Sequence, residues 1–393
     1  MSDWKQRFSI AMMGSSPTPL AHLVRGDRCH VWDIDGTRYL DFLSGIAVNA
    51  LGHGHPALVD AVSKQAAELV HVSNYFSTPQ QVELAERLVR LTGGHEATRV
   101  FFANSGTEAN EGALKLAKLN SGDGTRTRIL SLQGSFHGRS TGALALTGQS
   151  ALRGPFAPLI PGIDHIEPTI QALAEAMGPD VAALFVEPIM GEAGVVELPP
   201  GYLAEARRIT REAGALLILD EIQTGVGRTG HWFAFQGTGI VPDAMTLAKG
   251  LAGGVPIGAL VTFGQASTLF GPGSHGTTFG GNPLAAAAAN AVLGEIERAD
   301  LLGNARRRGV QLREAIESIH SPLVADVRGE GLLIGIGLSA PVAKQVAAHA
   351  LAHGLIVNAA NDTTIRIAPP LIIGDEEIAE FQSIFCQALE AQA

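Results

Sequence analysis

The sequence predicts an α/β fold in which a mostly parallel central sheet is flanked by helices, with a smaller α+β domain beside it. Two observations lead to this class. Short apolar runs alternate with amphipathic helical stretches through the middle of the chain, as in βαβ units. After about residue 296 helices and strands alternate less regularly. We therefore expect an N-terminal segment over 1–55 that packs with the small domain, a large α/β domain over 56–282 and a small domain over 283–393.

The individual elements can be placed from their residue patterns. Asp35-Gly36, between alternating apolar residues, predicts a hairpin. Pro56–Val70 and Thr78–Leu91 have the apolar spacing of amphipathic helices. Buried strands of the large domain are predicted at Arg99–Ala103, Arg128–Leu132, Val181–Val186, Ala215–Leu219, Ala244–Leu247 and Ile257–Phe263. The later part is predicted to contain helices over Pro283–Ile296, Asn304–Ile319, Pro341–His353 and Asp375–Ala391, with strands near Leu323–Leu338 and Thr364–Ala368.

Composition limits the function classes. The 393 residues include 28 basic and 38 acidic side chains, for a net charge of −10, and only six of the basic residues are lysines. Such a chain is poorly suited to nucleic acid, whose phosphates require clustered cations. Two distant cysteines, Cys29 and Cys386, make no disulfide framework and indicate a reducing compartment. Because no signal-peptide core and no apolar run near the ~20 residues of a membrane span is present, we expect a cytoplasmic protein without membrane contact.

One lysine is distinguished by its surroundings. Lys249 is the only charged residue between Asp243 and Glu295, and it follows a predicted buried strand. Burial disfavours the ammonium form, and the neutral amine is the form that makes a Schiff base with a carbonyl group. The alternative is a loop lysine whose amine reaches water past small neighbours.

A carboxylate ends another predicted buried strand, where Ala215–Leu219 is followed by Asp220 and Glu221. Ligands of open parallel sheets bind at the carboxyl ends of the strands. Asp220 could therefore meet a cation, a protonated heterocycle or Mg²⁺. The alternative is an acid that only caps the following turn.

Three further segments carry candidate ligand contacts. Ser105-Gly106-Thr107 opens a predicted helix, with Ser105 and Glu108 in capping-box spacing, and could hold a phosphate group or be a plain capped helix. His275–Pro283 has similar small donors before a helix. Ser135–Arg139 provides an aromatic ring and an arginine, although a lone phenylalanine such as Phe136 is more often a core residue.

Two other motifs suggest different chemistry. Gly225–Gly230 matches the dinucleotide pattern G-x-G-x-x-G, but Asp220 and Glu221 precede it and no clear helix follows. His53 and His55 could be a metal pair, but further ligands are not evident, and we expect no metal.

The remaining features are a phosphate anchor, an aromatic ring, a strand-end acid and an isolated lysine. Pyridoxal phosphate requires this combination.

These motifs resemble the class III aminotransferases, fold-type I enzymes that depend on pyridoxal phosphate, and within them the acetylornithine aminotransferase group. The resemblance extends from about Ser16 to Pro370. It rests on the segments Ile46–His53, Asn104–Asn110, Phe136–Arg139, Val186–Glu192, Leu219–Gly230, Ala248–Gly250 and His275–Pro283.

The resemblance implies roles for the matching residues. Lys249 would form the Schiff base and move the substrate proton, and Asp220 would keep the pyridine nitrogen protonated. Contacts to the cofactor are also implied for Ser105, Gly106, Thr107, Phe136 and Gln223, and a phosphate contact from the second subunit of a homodimer for Thr278.

The resemblance also implies two carboxylate-binding arginines. Arg139 would bind the α-carboxylate of an acylated ornithine, and Arg366 that of glutamate or 2-oxoglutarate. Glu192 would pair with Arg366 while the amine donor is bound and release it for the keto acid; a permanent ion pair is the alternative. Thr277 and Ile46 complete the implied substrate-binding residues.

Two positions depart from the pattern. Met190 stands where the group usually has glutamine, and Ile46 where ornithine aminotransferases carry tyrosine. An apolar Ile46 favours a neutral acylamino end. We therefore expect transfer of the terminal amino group of N2-acetyl-L-ornithine to 2-oxoglutarate, in arginine biosynthesis.

Alternatives remain open at this point. Within the class, the donor could be succinylornithine, an N-acyl-lysine, N-succinyl-diaminopimelate, ornithine or 4-aminobutyrate. Outside it, the chain could be an NAD(P)-dependent oxidoreductase that uses Gly225–Gly230, or a non-catalytic binding protein.

Overall fold

The computed structural model describes residues 4–15, 17–95 and 97–392; Ser16, where the resemblance begins, lies outside them. The strands, numbered in chain order, are β1 Leu23–Asp27, β2 His30–Asp33, β3 Arg38–Asp41, β4 Arg99–Ala103, β5 Arg128–Leu132, β6 Ile163–Ile166, β7 Val181–Val186, β8 Ile189–Met190, β9 Val196–Glu197, β10 Leu216–Asp220, β11 Ala244–Leu247, β12 Gly258–Thr262, β13 Val324–Glu330, β14 Leu333–Leu338, β15 Leu355–Ile356, β16 Asn358–Asn361 and β17 Thr364–Ile367.

The α-helices are numbered in the same way, and α2 is a single irregular turn with positive φ at Gly45 and Ile46. They are α1 Trp4–Ala11, α2 Ser44–Ala47, α3 Pro56–Glu68, α4 Pro79–Leu91, α5 Gly106–Leu119, α6 Thr141–Leu146, α7 Ser150–Arg153, α8 Ile170–Ala176, α9 Tyr202–Ala213, α10 Pro283–Arg298, α11 Leu301–Glu317, α12 Ala343–Ala352 and α13 Asp375–Glu390. Among the residues so described, no helix combines the length and apolarity needed to cross a membrane.

The central sheet has seven strands in the order β4-β12-β11-β10-β7-β5-β6. Only β12 runs against its neighbours, so the sheet is mostly parallel, as predicted. Strands β7 and β10 are buried at every position because helices cover both faces, which explains their continuous apolar sequences.

A second, antiparallel sheet β13-β14-β17-β16 belongs to the C-terminal part of the chain. The predicted hairpin at Asp35-Gly36 is the β2–β3 turn, with Gly36 at φ +85°. Strand β3 also pairs in parallel with β15. This pairing ties the N-terminal hairpin to the C-terminal part.

The predicted strands agree with the structure to within one residue at each end, and the α/β fold class is confirmed. The ends of the predicted helices lie up to three residues from those in the structure, and two of these differences have a visible cause. The helix predicted from Asn304 begins at Leu301, because Asp300 caps it by accepting a hydrogen bond from the Gly303 N–H. The helix predicted to reach Val70 ends at Glu68, where Leu69 turns to extended backbone. The sequence did not predict six short strands, namely β1, β6, β8, β9, β15 and β16.

The strand directions bring several chain segments to one edge of the central sheet. Because β4 runs parallel to β5, β7, β10 and β11, the carboxyl ends of these five strands lie at the same edge. The sheet therefore gathers segments that are more than a hundred residues apart in sequence.

Candidate active site

A cavity of about 400 Å³ lies at this edge of the sheet. Its walls are the residues that directly follow the strands, together with a few from adjacent loops. The lining residues include Asn104, Ser105, Gly106, Thr107, Phe136, His137, Arg139, Glu187, Glu192, Asp220, Ile222, Gln223 and Lys249. Nine of the thirteen residues implied by the resemblance thus meet in one cavity.

Lys249 follows β11 and lines the cavity. Its backbone has φ +38°, in the left-handed region that β-carbon sterics disfavour, and such strain persists where surrounding structure imposes it. Within residues 4–15, 17–95 and 97–392 no hydrogen bond or ion pair engages its amine. Burial lowers the pKa of Lys249, and Arg366 adds to this effect, whereas Glu192, Asp220 and Glu187 oppose it. The amine is therefore biased towards its neutral, nucleophilic form.

Asp220 ends β10 with 4% of its surface exposed. Its Oδ2 accepts hydrogen bonds from Asn110 Nδ2 and His137 Nδ1, both at 2.8 Å, and its Oδ1 accepts one from the Ile222 N–H at 3.0 Å. A carboxylate has about four acceptor sites, so one remains for a further donor in the cavity.

His137 is fully buried against Asp220. Burial disfavours the imidazolium, yet the hydrogen bond and charge of Asp220 outweigh this effect and raise the pKa of His137. The ring's other nitrogen, Nε2, is buried without a hydrogen-bond partner in the described structure. His137 and Asn110 together fix the orientation of the Asp220 carboxylate.

The amino end of α5 opens towards the cavity. Ser105 caps this helix by accepting a hydrogen bond from the Glu108 N–H at 3.3 Å. Only half of the predicted capping box forms, because the Glu108 carboxylate accepts from the Asn104 N–H instead of that of Ser105. The first N–H groups of the helix, at Gly106 and Thr107, have no intrahelical acceptor. They provide a site for an anion.

The loop after β5 brings Phe136 to the cavity wall. The Phe136 N–H donates to Glu187 Oε1 at 2.7 Å, so the buried Glu187 sets the position of this loop. Gly138 has φ +138°, and a β-carbon there would lie 2.3 Å from Thr107 Oγ1. Only glycine fits at this contact between the loop and α5.

Arg366 and Glu192 form an ion pair beside the cavity, with 2.5 Å between Nη1 and Oε1. Gln223 lies between the same partners: its Oε1 accepts from Arg366 Nη1 at 3.3 Å, and its Nε2 donates to Glu192 Oε1 at 3.4 Å. Burial works against ionisation of Glu192, but Arg366 lowers the pKa of Glu192 below its ordinary value.

Arg139 is the second arginine at the cavity, and it is exposed. Its guanidinium carbon lies 5.7 Å from the centre of the Phe136 ring. No carboxylate of the described chain forms an ion pair with it. The two arginines thus differ in state: Arg366 is buried and paired, and Arg139 is exposed and unpaired.

Four residues implied by the resemblance do not line this cavity; besides Arg366, which lies beside it, they are Thr277, Thr278 and Ile46. Thr277 accepts hydrogen bonds from Asn104 Nδ2 and the Gly280 N–H, and Thr278 lines a separate crevice with Asn74. Ile46 is 39% exposed on the irregular turn α2. Within one chain, none of the three contacts the cavity.

The two motifs that suggested a metal site and a dinucleotide site have structural roles. His53 Nε2 pairs with Asp41, and His55 accepts from the Ala57 N–H as the cap of α3. In Gly225–Gly230 no strand–turn–helix forms, and the next helical segment is a short 3₁₀ turn at Ala234–Gly237. Arg228 within it donates to the carbonyl oxygens of Leu332 and Pro369, so this segment connects the two parts of the chain.

Comparison with known proteins decides the family. The sequence model of the family "Aminotransferase class-III" matches residues 11–389.

The chain belongs to the class III aminotransferases.

Its relatives include acetylornithine aminotransferases of Streptomyces coelicolor, 51% identical over 96% of this chain and 92% of that protein, and of Mycobacterium tuberculosis, 51% identical over 96% and 94%. Similar solved structures are the ornithine aminotransferase of Toxoplasma gondii (TM-score 0.93, 31% identity, 99% and 95% coverage) and the N-acetylornithine aminotransferase of Stenotrophomonas maltophilia (TM-score 0.85, 35% identity, 98% of both chains). Another structure of the Toxoplasma enzyme shows partial occupancy of pyridoxal phosphate at its active site.

The residues of this class III aminotransferase fit pyridoxal phosphate, and the cofactor prediction is confirmed with the family. The unpartnered amine of Lys249 suits the aldehyde, the free acceptor site of Asp220 suits the pyridine N–H, and the open end of α5 suits the phosphate. Phe136 and Ile222 supply apolar surface for a flat ring.

Several site residues of this aminotransferase were not predicted from the sequence. Asn110 and His137 hold Asp220, Glu187 holds Phe136, and Ile222 lines the cavity. Asn110, His137 and Glu187 lie inside motifs that were recognised, and their placement at strand and helix ends was the available signal. Their partners are distant in sequence, so the contacts themselves could not be predicted.

Proposed function

We propose that the enzyme transfers the terminal amino group of N2-acetyl-L-ornithine to 2-oxoglutarate, giving N-acetylglutamate 5-semialdehyde and glutamate, as in arginine biosynthesis. One observation carries the assignment of two acidic substrates: an exposed, unpaired Arg139 and a buried, paired Arg366 lie at the cavity that Lys249 lines. The donor reacts at its terminal amine and glutamate at the carbon next to its carboxylate, so the two α-carboxylates lie at different distances from the reacting carbon and two carboxylate sites are suited to them. The acetylornithine aminotransferases that share about half of its sequence support the same donor.

The roles of the protein groups follow from their surroundings. When bound, pyridoxal phosphate supplies the carbon that carries the amino group and a ring that accepts an electron pair. Lys249 Nζ would take the proton from the substrate carbon that bears the amine and deliver it to the cofactor carbon that takes up the amino group. Asp220, fixed by Asn110 and His137, keeps a negative charge at the ring nitrogen. Gln223 would contact the cofactor's phenolic oxygen, and the amino end of α5 would hold the phosphate.

The two arginines and Glu192 would recognise the α-carboxylates of the two substrates. In this proposal Arg139 binds the α-carboxylate of the acylated donor while Glu192 neutralises Arg366. When glutamate or 2-oxoglutarate binds, Glu192 moves away and Arg366 binds the α-carboxylate bidentately. The same geometry is compatible with other ω-amine donors, which differ mainly at the far end of the substrate.

The active unit is proposed to be a homodimer in the cytoplasm. Thr278 lies in a crevice apart from the cavity of its own chain, and it would complete the phosphate site of the second subunit. Thr277 and Ile46 would approach the substrate in the same assembled site.

A donor panel tests the function. The two half-reactions are followed separately through cofactor absorbance, with N-acetylornithine, N-succinylornithine, ornithine and 4-aminobutyrate as donors. N-acetylornithine should give the highest kcat/KM, and Arg139→Ala should reduce the donor half-reaction while leaving the 2-oxoglutarate half-reaction nearly unchanged. Faster reaction of ornithine or 4-aminobutyrate would overturn the proposed substrate.

A further inference from the structure

Arg366 lies on β17, between β14 and β16, and its position in the sheet determines its side-chain neighbours. On β17 it faces Gly335 of β14 on one side and Asn358 of β16 on the other. Gly335 has no side chain, and a β-carbon there would come within 2.9 Å of the Gly194 carbonyl oxygen. Asn358 is therefore the one cross-strand side chain available to Arg366 in the described sheet.

The guanidinium uses this neighbour. Arg366 Nη2 donates to Asn358 Oδ1 at 2.9 Å, while Nη1 donates to Glu192 and Gln223. Its Nε is buried and has no acceptor in the part of the chain that the structure describes. The contacts to Glu192 and to Asn358 are thus made by different nitrogens.

The two acceptors differ in mobility and in charge. Arg366 is 2% exposed, whereas the Glu192 side chain is 30% exposed and lines the cavity into which it would move in the proposed mechanism. When Glu192 leaves, a buried guanidinium loses its carboxylate, which is strongly unfavourable unless other groups bond to it. Asn358 lies on a paired strand and is not displaced by this movement. Its oxygen is an acceptor without a net charge.

We propose that Asn358 is a positioning residue, which holds Arg366 in place after Glu192 has released it and leaves the arginine's charge free for the α-carboxylate of glutamate or 2-oxoglutarate. This inference rests on the proposed function of Arg366 as the dicarboxylate site. A carboxylate at position 358 would hold the guanidinium equally well, but it would neutralise it permanently. Neutrality of the acceptor is therefore part of the role.

The test measures binding of glutarate, a dicarboxylate that has neither an amino nor a keto group and so does not react. Its dissociation constant is determined by calorimetry on the holoenzyme, for wild type and for the variants Asn358→Ala and Asn358→Asp. The matched control is Asn120→Ala, which removes another half-buried asparagine, one that donates to the Ala182 and Gly214 carbonyl oxygens away from the cavity.

Asn358→Ala should weaken glutarate binding about ten-fold, the usual effect of losing a hydrogen bond to a charged group. Asn358→Asp keeps the size and the acceptor. This variant should weaken glutarate binding further, because its carboxylate competes with glutarate for the positive charge of Arg366. The donor half-reaction with N-acetylornithine uses Arg139 and should change less than about two-fold in either variant. Asn120→Ala should match wild type in both measurements.

Other results overturn the inference. Wild-type glutarate affinity in Asn358→Asp would mean that any acceptor is sufficient, and equal losses in the donor half-reaction would mean a general structural role. Absence of glutarate binding to the wild type would remove Arg366 as the dicarboxylate site. Failure of the donor assignment is distinguishable, because wild type would then not react with N-acetylornithine while the Asn358 variants still altered glutarate binding.

Discussion

Glu187 is a buried carboxyl group whose protonation should be visible in the stability of the enzyme. It is 5% exposed and follows β7, where Val186 pairs with Leu219, so it lies next to Asp220 at the ends of adjacent strands. Burial raises the pKa of Glu187 to about 7, with Asp220 acting in the same direction and His137 against it. The Phe136 N–H is its hydrogen-bond donor within the described chain.

Replacing Glu187 by glutamine keeps an oxygen for the Phe136 N–H and removes the titration. A folded-state pKa of about 7 against an ordinary value of 4.5 means that the folded protein binds this proton more tightly than the unfolded chain. The stabilising contribution is therefore complete below about pH 4.5 and is lost as the pH rises towards 7. At about 1.4 kcal/mol per pH unit, the loss amounts to about 3 kcal/mol at most.

The free energy of unfolding of the holoenzyme in urea, measured across this pH range, tests the reasoning. Glu187→Gln should equal wild type near about pH 4 and be more stable by up to about 3 kcal/mol near about pH 8. Glu192→Gln is a control of opposite sign. Burial opposes its ionisation, but Arg366 lowers the pKa of Glu192, so this variant should be less stable at neutral pH and approach wild type as the pH falls. A Glu187→Gln effect that is independent of pH would refute the argument.

Four further predictions concern the reaction. Lys249→Ala should lose transamination by at least about 10⁴-fold and lose the cofactor's Schiff-base absorbance without loss of folded structure by circular dichroism; retained colour would contradict its role. Asp220→Asn should bind the cofactor but lower kcat by about 10² or more, and an unchanged kcat would exclude it as the ring-nitrogen partner. Lys249→Ala and Thr278→Ala subunits, each inactive alone, should regain activity when mixed, because a mixed dimer has one site with both residues intact. Random pairing makes half of the dimers mixed, so up to half of the activity of one site per dimer should return. No recovery would place Thr278 in its own chain's site. Ile46→Tyr should raise kcat/KM for ornithine relative to N-acetylornithine, and a constant ratio in the donor panel would remove Ile46 from donor choice.

The strands of the large domain were predictable because burial on both faces makes them continuous apolar runs. Strands β6, with sequence IDHI, and β16, with sequence NAAN, lack this signal. They form because their neighbours in the sheet offer hydrogen-bonding edges, which is a tertiary effect that local sequence does not encode.

The site was predictable where one residue stood out from its own segment. Lys249 is a single charge in an apolar region, and Asp220 ends a buried strand. By contrast, Asn358 looks like an ordinary polar residue, and its role depends on the cross-strand register with Arg366. Predicting it would require knowing that register before the fold.

The different burial of the two arginines explains why only one of them needs an adjustable partner. An exposed cation such as Arg139 is solvated by water whether or not a substrate is bound, so leaving it unpaired costs little free energy. A buried cation such as Arg366 has no such solvent, and each step of the proposed cycle must leave it with an acceptor. Glu192 serves while the donor is bound, the substrate carboxylate serves afterwards, and Asn358 serves throughout. An enzyme with two equally exposed arginines would need no partner such as Glu192, because water would solvate both cations. In the proposed mechanism, burial of Arg366 therefore makes the exchange of partners necessary, and this exchange would separate the two half-reactions.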